Sequence, residues 1–130
     1  MASLKFYSKP RRANPEGLLQ KAVVQHLKLT TVPGIVYFSV PNEGKRSMYT
    51  AGDLKAKGLR SGVSDLVIFR DGRAYCLELK AKGEKQEPPQ IAFEADCLIA
   101  GVPYACVDCI DAAITTLRTW GIIKPMRVAA

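Results

Sequence analysis

Asp65, Glu78 and Lys80 are the residues of this sequence best placed to do chemistry. They flank an Asp71-Gly72 dipeptide set between two largely apolar runs, 65–70 and 73–80, which is the strongest short signal for a β-hairpin. A two-residue loop fixes the register: Arg70 faces Arg73, Ile68 faces Tyr75, and at the far end Asp65 faces Glu78. Directly opposed residues share a face with Cβ atoms about 4.5–5.5 Å apart, and Lys80, two positions on, returns to that face. The other positions are apolar on both faces, with Val67, Phe69 and Cys76 on one and Leu66, Ile68, Leu77 and Leu79 on the other. Three charges therefore gather at the end of a buried hairpin. Opposed carboxylates repel, the more so when desolvated, unless a cation or a shared proton compensates. A divalent cation is one solution, and an oxygen-only ligand set suits Mg²⁺ or Mn²⁺. The other is a local salt bridge from Lys80 to Glu78, with Asp65 capping the Ser61-Gly62-Val63-Ser64 turn. Spacing alone leaves both open.

Four cysteines offer a second chemistry. Cys106 and Cys109 have the spacing of half a zinc site, but Cys76 and Cys97 are 21 residues apart and the single histidine, His26, is remote, so no four-ligand set is visible. Cys106 sits in an apolar stretch, so the pair is expected to be buried free thiols, as a reducing cytosol allows. A redox or zinc module on Cys106 and Cys109 ranks last among the functional readings.

The elements that must position these groups follow from local signals. Asn14 can cap a helix with Pro15 at its first position, Glu16 in its first turn and Leu19, Val23 and Leu27 along one face, ending near Leu29. After Pro33-Gly34, residues 35–40 read as a strand that Pro41-Asn42-Glu43-Gly44 ends. Residues 49–57 form a short helix stopped by Gly58. Beyond the hairpin, Pro88-Pro89 opens a helix running to Ala100 and stopped by Gly101. Tyr104 to Val107 is a strand, and Asp111 to Trp120 a last helix. This order predicts an α/β fold, a mixed central sheet flanked by helices on both faces.

The chain of 130 residues, 48% hydrophobic and 24% charged, suits one domain and excludes a disordered tail protein, a collagen-like repeat or a coiled coil. No internal repeat is visible. The expected organisation is a basic segment at 1–13, a folded domain at 14–120 and a tail at 121–130. No apolar run reaches the roughly 18 residues of a membrane helix and no export signal is recognisable, so a cytoplasmic protein with no membrane partner is expected. Residues 1–60 hold eleven Lys or Arg against three acidic residues, net +8, while residues 61–130 are net −1. A basic half of this kind suits a polyanion, nucleic acid first and an anionic membrane second. Only Lys5, Phe6 and Tyr7 interleave aromatics with charge, which gives weak support for single-strand stacking.

Taken together, the motifs resemble the VRR-NUC (virus-type replication-repair) branch of the PD-(D/E)XK nucleases. The matching residues are Glu16-x-x-x-Gln20, Pro41-Asn42-Glu43-Gly44-Lys45-Arg46, Gly58 to Asp65 with Leu66-Val67-Ile68, Glu78-Leu79-Lys80 and Gln90, spread over roughly residues 14–118. One departure is Ser64, where the family commonly has proline; proline stiffens a turn and supplies no ligand.

The resemblance implies a restriction-endonuclease-like αβββαβ core, with the helix at 49–57 as an insertion, and a Mg²⁺- or Mn²⁺-dependent DNA endonuclease. It implies that Asp65 and Glu78 bind the metal through carboxylates and Leu79 through its carbonyl, while Lys80 orients the attacking water. Glu16 would complete the metal site directly or through water, and Gln90 would hold the site or a phosphate. Otherwise Glu16 is a favourable helix-dipole charge and Gln90 an exposed helix residue. Lys45, Arg46, Lys55, Lys57 and Arg60 are the candidates for phosphate contacts, which position DNA without reading its sequence; a solvated surface is the plainer role of Lys55 and Lys57. The resemblance further implies a homodimer acting on branched, flapped or Holliday-junction DNA in replication, recombination or repair, without a small-molecule cofactor. The rival reading is a non-catalytic nucleic-acid-binding domain.

Overall fold

The computed structural model of the chain describes residues 14–41 and 48–126, with the side chains of 48–50 left aside. The basic segment at 1–13, the loop residues Lys45 and Arg46, and residues 127–130 lie outside the described residues. Eight elements follow in order: α1 (Pro15–Thr30), β1 (Val36–Ser39), α2 (Met48–Ala56), β2 (Leu66–Arg70), β3 (Arg73–Leu79), α3 (Pro88–Ile99), β4 (Tyr104–Val107) and α4 (Ile110–Thr119). Without the inserted α2, the first six form the expected αβββαβ core.

The hairpin sets the sheet. Asp71 and Gly72 both take positive φ, 50° and 72°, as a tight type I′ turn requires. The antiparallel register runs from Arg70 opposite Arg73 to Leu66 opposite Leu77, which brings Asp65 to the level of Glu78. On one side β1 pairs antiparallel with β2; on the other β4 pairs parallel with β3, Glu78 lying beside Cys106 and Leu79 beside Val107. The strand order is β1-β2-β3-β4, a mixed sheet.

One face of the sheet is the core. Leu66, Ile68, Tyr75, Leu77, Leu79 and Val107 pack against Val23 and Leu27 of α1 and Ala113 and Leu117 of α4. Asn14 starts α1 as expected, its side chain accepting the Gly17 N–H at 3.1 Å. Packing continues past residue 120, because Ile122 and Ile123 are buried, Ile123 bridges to Thr31, and the Lys124 N–H donates to the Thr30 carbonyl. The expected tail at 121–130 thus begins with core residues. They follow a Gly121 turn at φ 71°, which returns the chain to the end of α1.

The other face carries Asp65, Val67, Cys76, Glu78, Tyr104 and Cys106. Here α3 covers β3 and β4 through Cys97, Phe93 against Tyr104 with ring centroids 6.0 Å apart, and Gln90 over Glu78. Val36, Phe38 and Phe69, on the β1–β2 half, stay exposed.

The cysteines depart from expectation. The buried thiols are Cys76 and Cys97, whereas Cys106 and Cys109 are exposed. Cys109 is the N-cap of α4, its Sγ accepting the Ala112 N–H at 3.5 Å, which holds it at the surface. Cys106 points to the Glu78 side of the sheet on an edge strand. Desolvation, then the Glu78 charge, push its thiol up to about 11, so it is not an activated nucleophile.

Candidate active site and metal centre

The two carboxylates are held by different devices. Asp65 lies just before β2, and its carbonyl accepts the Val40 N–H at 2.9 Å, so β1 and β2 fix its backbone. Its Oδ2 accepts the Leu79 N–H at 2.7 Å, which ties the side chain across the hairpin. Ser64 before it is fully buried and donates its hydroxyl to the Leu66 carbonyl at 3.1 Å. That hydrogen bond stiffens the turn before Asp65.

Glu78 is 2% exposed. One carboxylate oxygen, Oε1, accepts the Gln90 Nε2–H at 3.0 Å; the other, Oε2, is buried with no hydrogen-bond partner. Gln90 is gripped at both ends, because its Oε1 accepts the Glu87 N–H at 2.7 Å in the capping box that starts α3. The cap fixes which end of the amide faces Glu78: the donor. Gly62 brings this helix start close. It has φ +81°, and a Cβ there would lie 2.3 Å from the Pro89 backbone, so only glycine lets the turn before Asp65 touch the first turn of α3.

Burial, then the facing Asp65 charge, push Glu78 from its ordinary 4.5 up to about 8. Asp65 is also raised, chiefly by burial, although the Leu79 N–H opposes the shift. The two carboxylates face each other closely enough that ionising one disfavours ionising the other, and the large rise falls on Glu78. Glu16, in the first turn of α1, reaches the end of β3, its Oε1 accepting the Ala81 N–H at 3.4 Å. Glu84, which sequence reasoning missed, meets the Glu16 carboxylate and is raised chiefly by that hydrogen bond. Its exposed turn, Lys82-Gly83-Glu84, offers no pattern that marks it. Lys80 is 7% exposed, and its N–H donates to the Val107 carbonyl at 2.9 Å. No ion pair to Lys80 occurs among the described residues, so the local salt bridge to Glu78 does not form.

Glu16, Asp65, Glu78 and Gln90 line one cleft of about 340 Å³, with Gln20 and Ser39 on its walls. Among the described residues, no three His, Cys, Asp or Glu converge closely enough to hold a metal by themselves. Two carboxylates and a backbone carbonyl nonetheless fit a hard cation that keeps several waters, such as Mg²⁺ or Mn²⁺. The buried Glu78 Oε2 without a partner is the strongest sign of fit, since a buried acceptor is almost always satisfied.

The described basic candidates, Lys55, Lys57 and Arg60, do not line this cleft. Lys55 is exposed on α2, Lys57 pairs with Asp53 at 2.8 Å, and Arg60 pairs with Asp96 at 2.6 Å while its guanidinium sits 5.3 Å from the centre of the Phe93 ring. The structure does not bring Lys57 or Arg60 into the carboxylate cleft.

Comparison with solved structures bears on the fold. A structure titled "VRR_NUC domain" superposes with a TM-score of 0.59 at 19% identity, covering 83% of this chain and 99% of its own. A "VRR_NUC domain protein" superposes with a TM-score of 0.68 at 17% identity, covering 88% and 99%. The chain has the VRR-NUC fold. No family model matches the sequence, and no curated protein matches it. In this VRR-NUC fold the carboxylate cleft opens at one end of the central hairpin of the mixed four-stranded sheet. No described helix is long and apolar enough to cross a membrane.

Proposed function

We propose that this protein is a nuclease that hydrolyses DNA phosphodiester bonds with Mg²⁺ or Mn²⁺, held by Asp65, Glu78 and the Leu79 carbonyl, with Glu16 completing the site directly or through water. The observation that carries the reading is Glu78 Oε2, a buried acceptor without a partner beside a second carboxylate. Bound there, the cation supplies positive charge against the charge developing on the phosphate and makes water a stronger acid.

The chain's own residues do the rest. The Leu79 N–H holds Asp65, and the Gln90 amide occupies one Glu78 oxygen so that the other is left to act as ligand. Lys80, desolvated at the end of β3, orients the attacking water and stabilises its hydroxide form as it attacks phosphorus in line. No covalent bond to the enzyme is needed. The DNA is recognised by shape, such as branches, flaps or Holliday junctions, rather than by base sequence. The exposed apolar residues Val36, Phe38 and Phe69 support a homodimer, which would suit a two-fold junction.

The test is cleavage of branched, flapped and linear DNA by the full chain, with Mg²⁺ or Mn²⁺ and with a chelator. Cation-dependent cutting, strongest on branched DNA, is expected. Tight DNA binding without cleavage under any of these conditions would favour the non-catalytic domain instead.

A further inference from the structure

The face of α1 that leads away from the carboxylate cleft carries Gln20, Lys21, Gln25 and Lys28 around a half-buried Val24. Gly17 and Gln20 line both the cleft and the groove along this face, so the two are continuous. These residues recur at steps of three and four and therefore lie in one row on the helix. Lys21 and Lys28 are two turns apart and exposed, and neither is ion-paired among the described residues. The one acid of α1, Glu16, is turned to the Ala81 N–H at the end of β3. By contrast, Lys57 and Arg60 are engaged by Asp53 and Asp96. Apart from Lys80, which the nuclease reading places in the site itself, Lys21 and Lys28 are exposed described cations beside the cleft that lack an acidic partner.

We propose that this face of α1 is a phosphate track for the DNA strand flanking the scissile bond, with Lys21 and Lys28 as its charged contacts and Gln20 and Gln25 as neutral donors. The inference rests on the nuclease reading and adds the path of the substrate. From Gly17 to Lys28 the helix rises about 16 Å, the length of about five nucleotides of a B-form strand. Two ammonium groups spaced along that length suit a repeating anion better than a single carboxylate or phosphate. Amide side chains between them can donate to phosphate or sugar oxygens whatever the base. Lys28 also lies in the last turn of α1, where it favours the helix dipole, so folding must be read separately from binding.

The test measures the affinity of the full chain for a fluorescent DNA duplex without divalent cation over a range of salt, beside steady-state cleavage with Mn²⁺. Lys21→Glu/Lys28→Glu should weaken binding roughly tenfold or more and lower the slope of log affinity against log salt by about two, at roughly 0.9 per contact. In cleavage the loss should fall on KM more than on kcat. Lys21→Arg/Lys28→Arg should keep wild-type affinity, and Lys21→Gln/Lys28→Gln, which spares the fold more, should lose part of it. Unchanged affinity and slope in the folded Glu or Gln variants would overturn the track. A wild type that binds but never cuts, with binding weakened in the variants, would overturn the nuclease reading and leave the track standing.

Discussion

Glu78 is the residue on which the account turns, and its two oxygens have different tasks. Oε1 takes the Gln90 amide and Oε2 has no partner. Gln90→Glu keeps an acceptor for the Glu87 N–H but removes the donor to Glu78 and adds a fourth carboxyl to the cleft, beside Glu16, Asp65 and Glu78. It should lower turnover more than Gln90→Ala does while cation affinity holds or rises, because the added carboxylate attracts the cation but no longer fixes Glu78, as metal titration by calorimetry can show. Lys80→Ala should reduce turnover by orders of magnitude with cation binding retained; near-normal turnover would remove Lys80 from the chemistry. The pH dependence has a definite sign. Glu78 binds its proton more tightly folded than unfolded, so between about 4.5 and 8 the native state holds more protons, and this pair's contribution to stability falls as pH rises. Thermal melts of metal-free protein should show that fall, and Glu78→Gln should reduce it. Mg²⁺ or Mn²⁺ should raise Tm more at pH 8 than at pH 5, because cation and proton compete for the same oxygens.

The elements explain why so much of the site could be read from the chain and why some could not. Asp71-Gly72 is a local signal that dictates a register, so the opposition of Asp65 and Glu78 followed from counting. Asn14-Pro15 likewise placed Glu16 in the first turn of α1. The lock on Gln90 was not legible, because its capping box starts from Glu87, a residue type outside the favoured N-caps. Nor was the pairing of Arg60 with Asp96, 36 residues apart, since only tertiary packing brings α3 to the turn before β2. Cys106 misled because an apolar sequence neighbourhood marks a strand without saying that the strand lies at the sheet edge, and Cys109 because it caps α4 at the surface. Gly62 is the joint between these elements. Gly62→Ala should destabilise the fold by about 2–4 kcal/mol, from a left-handed φ and a collision with the Pro89 backbone. Urea unfolding measures this directly, and a loss under about 0.5 kcal/mol would mean that the turn and α3 are not rigidly joined.

At the scale of the molecule, one sheet face is given to stability and the other to chemistry. The α1–α4 side buries the aliphatic core, while the α3 side carries the charged end of the hairpin and an uncovered apolar half at Val36, Phe38 and Phe69. Such a division lets the cleft hold opposed carboxylates, whose repulsion the core on the far face offsets. The measurement that tests the central claim most directly is Glu78→Ala assayed side by side for Mn²⁺-dependent cleavage and for DNA affinity. Removing this charge should abolish cleavage while affinity holds or rises, because one negative group facing phosphate is gone. Cleavage that persists, or that falls only in step with affinity in a folded variant, would contradict the assignment of Glu78 as a metal-holding catalytic residue.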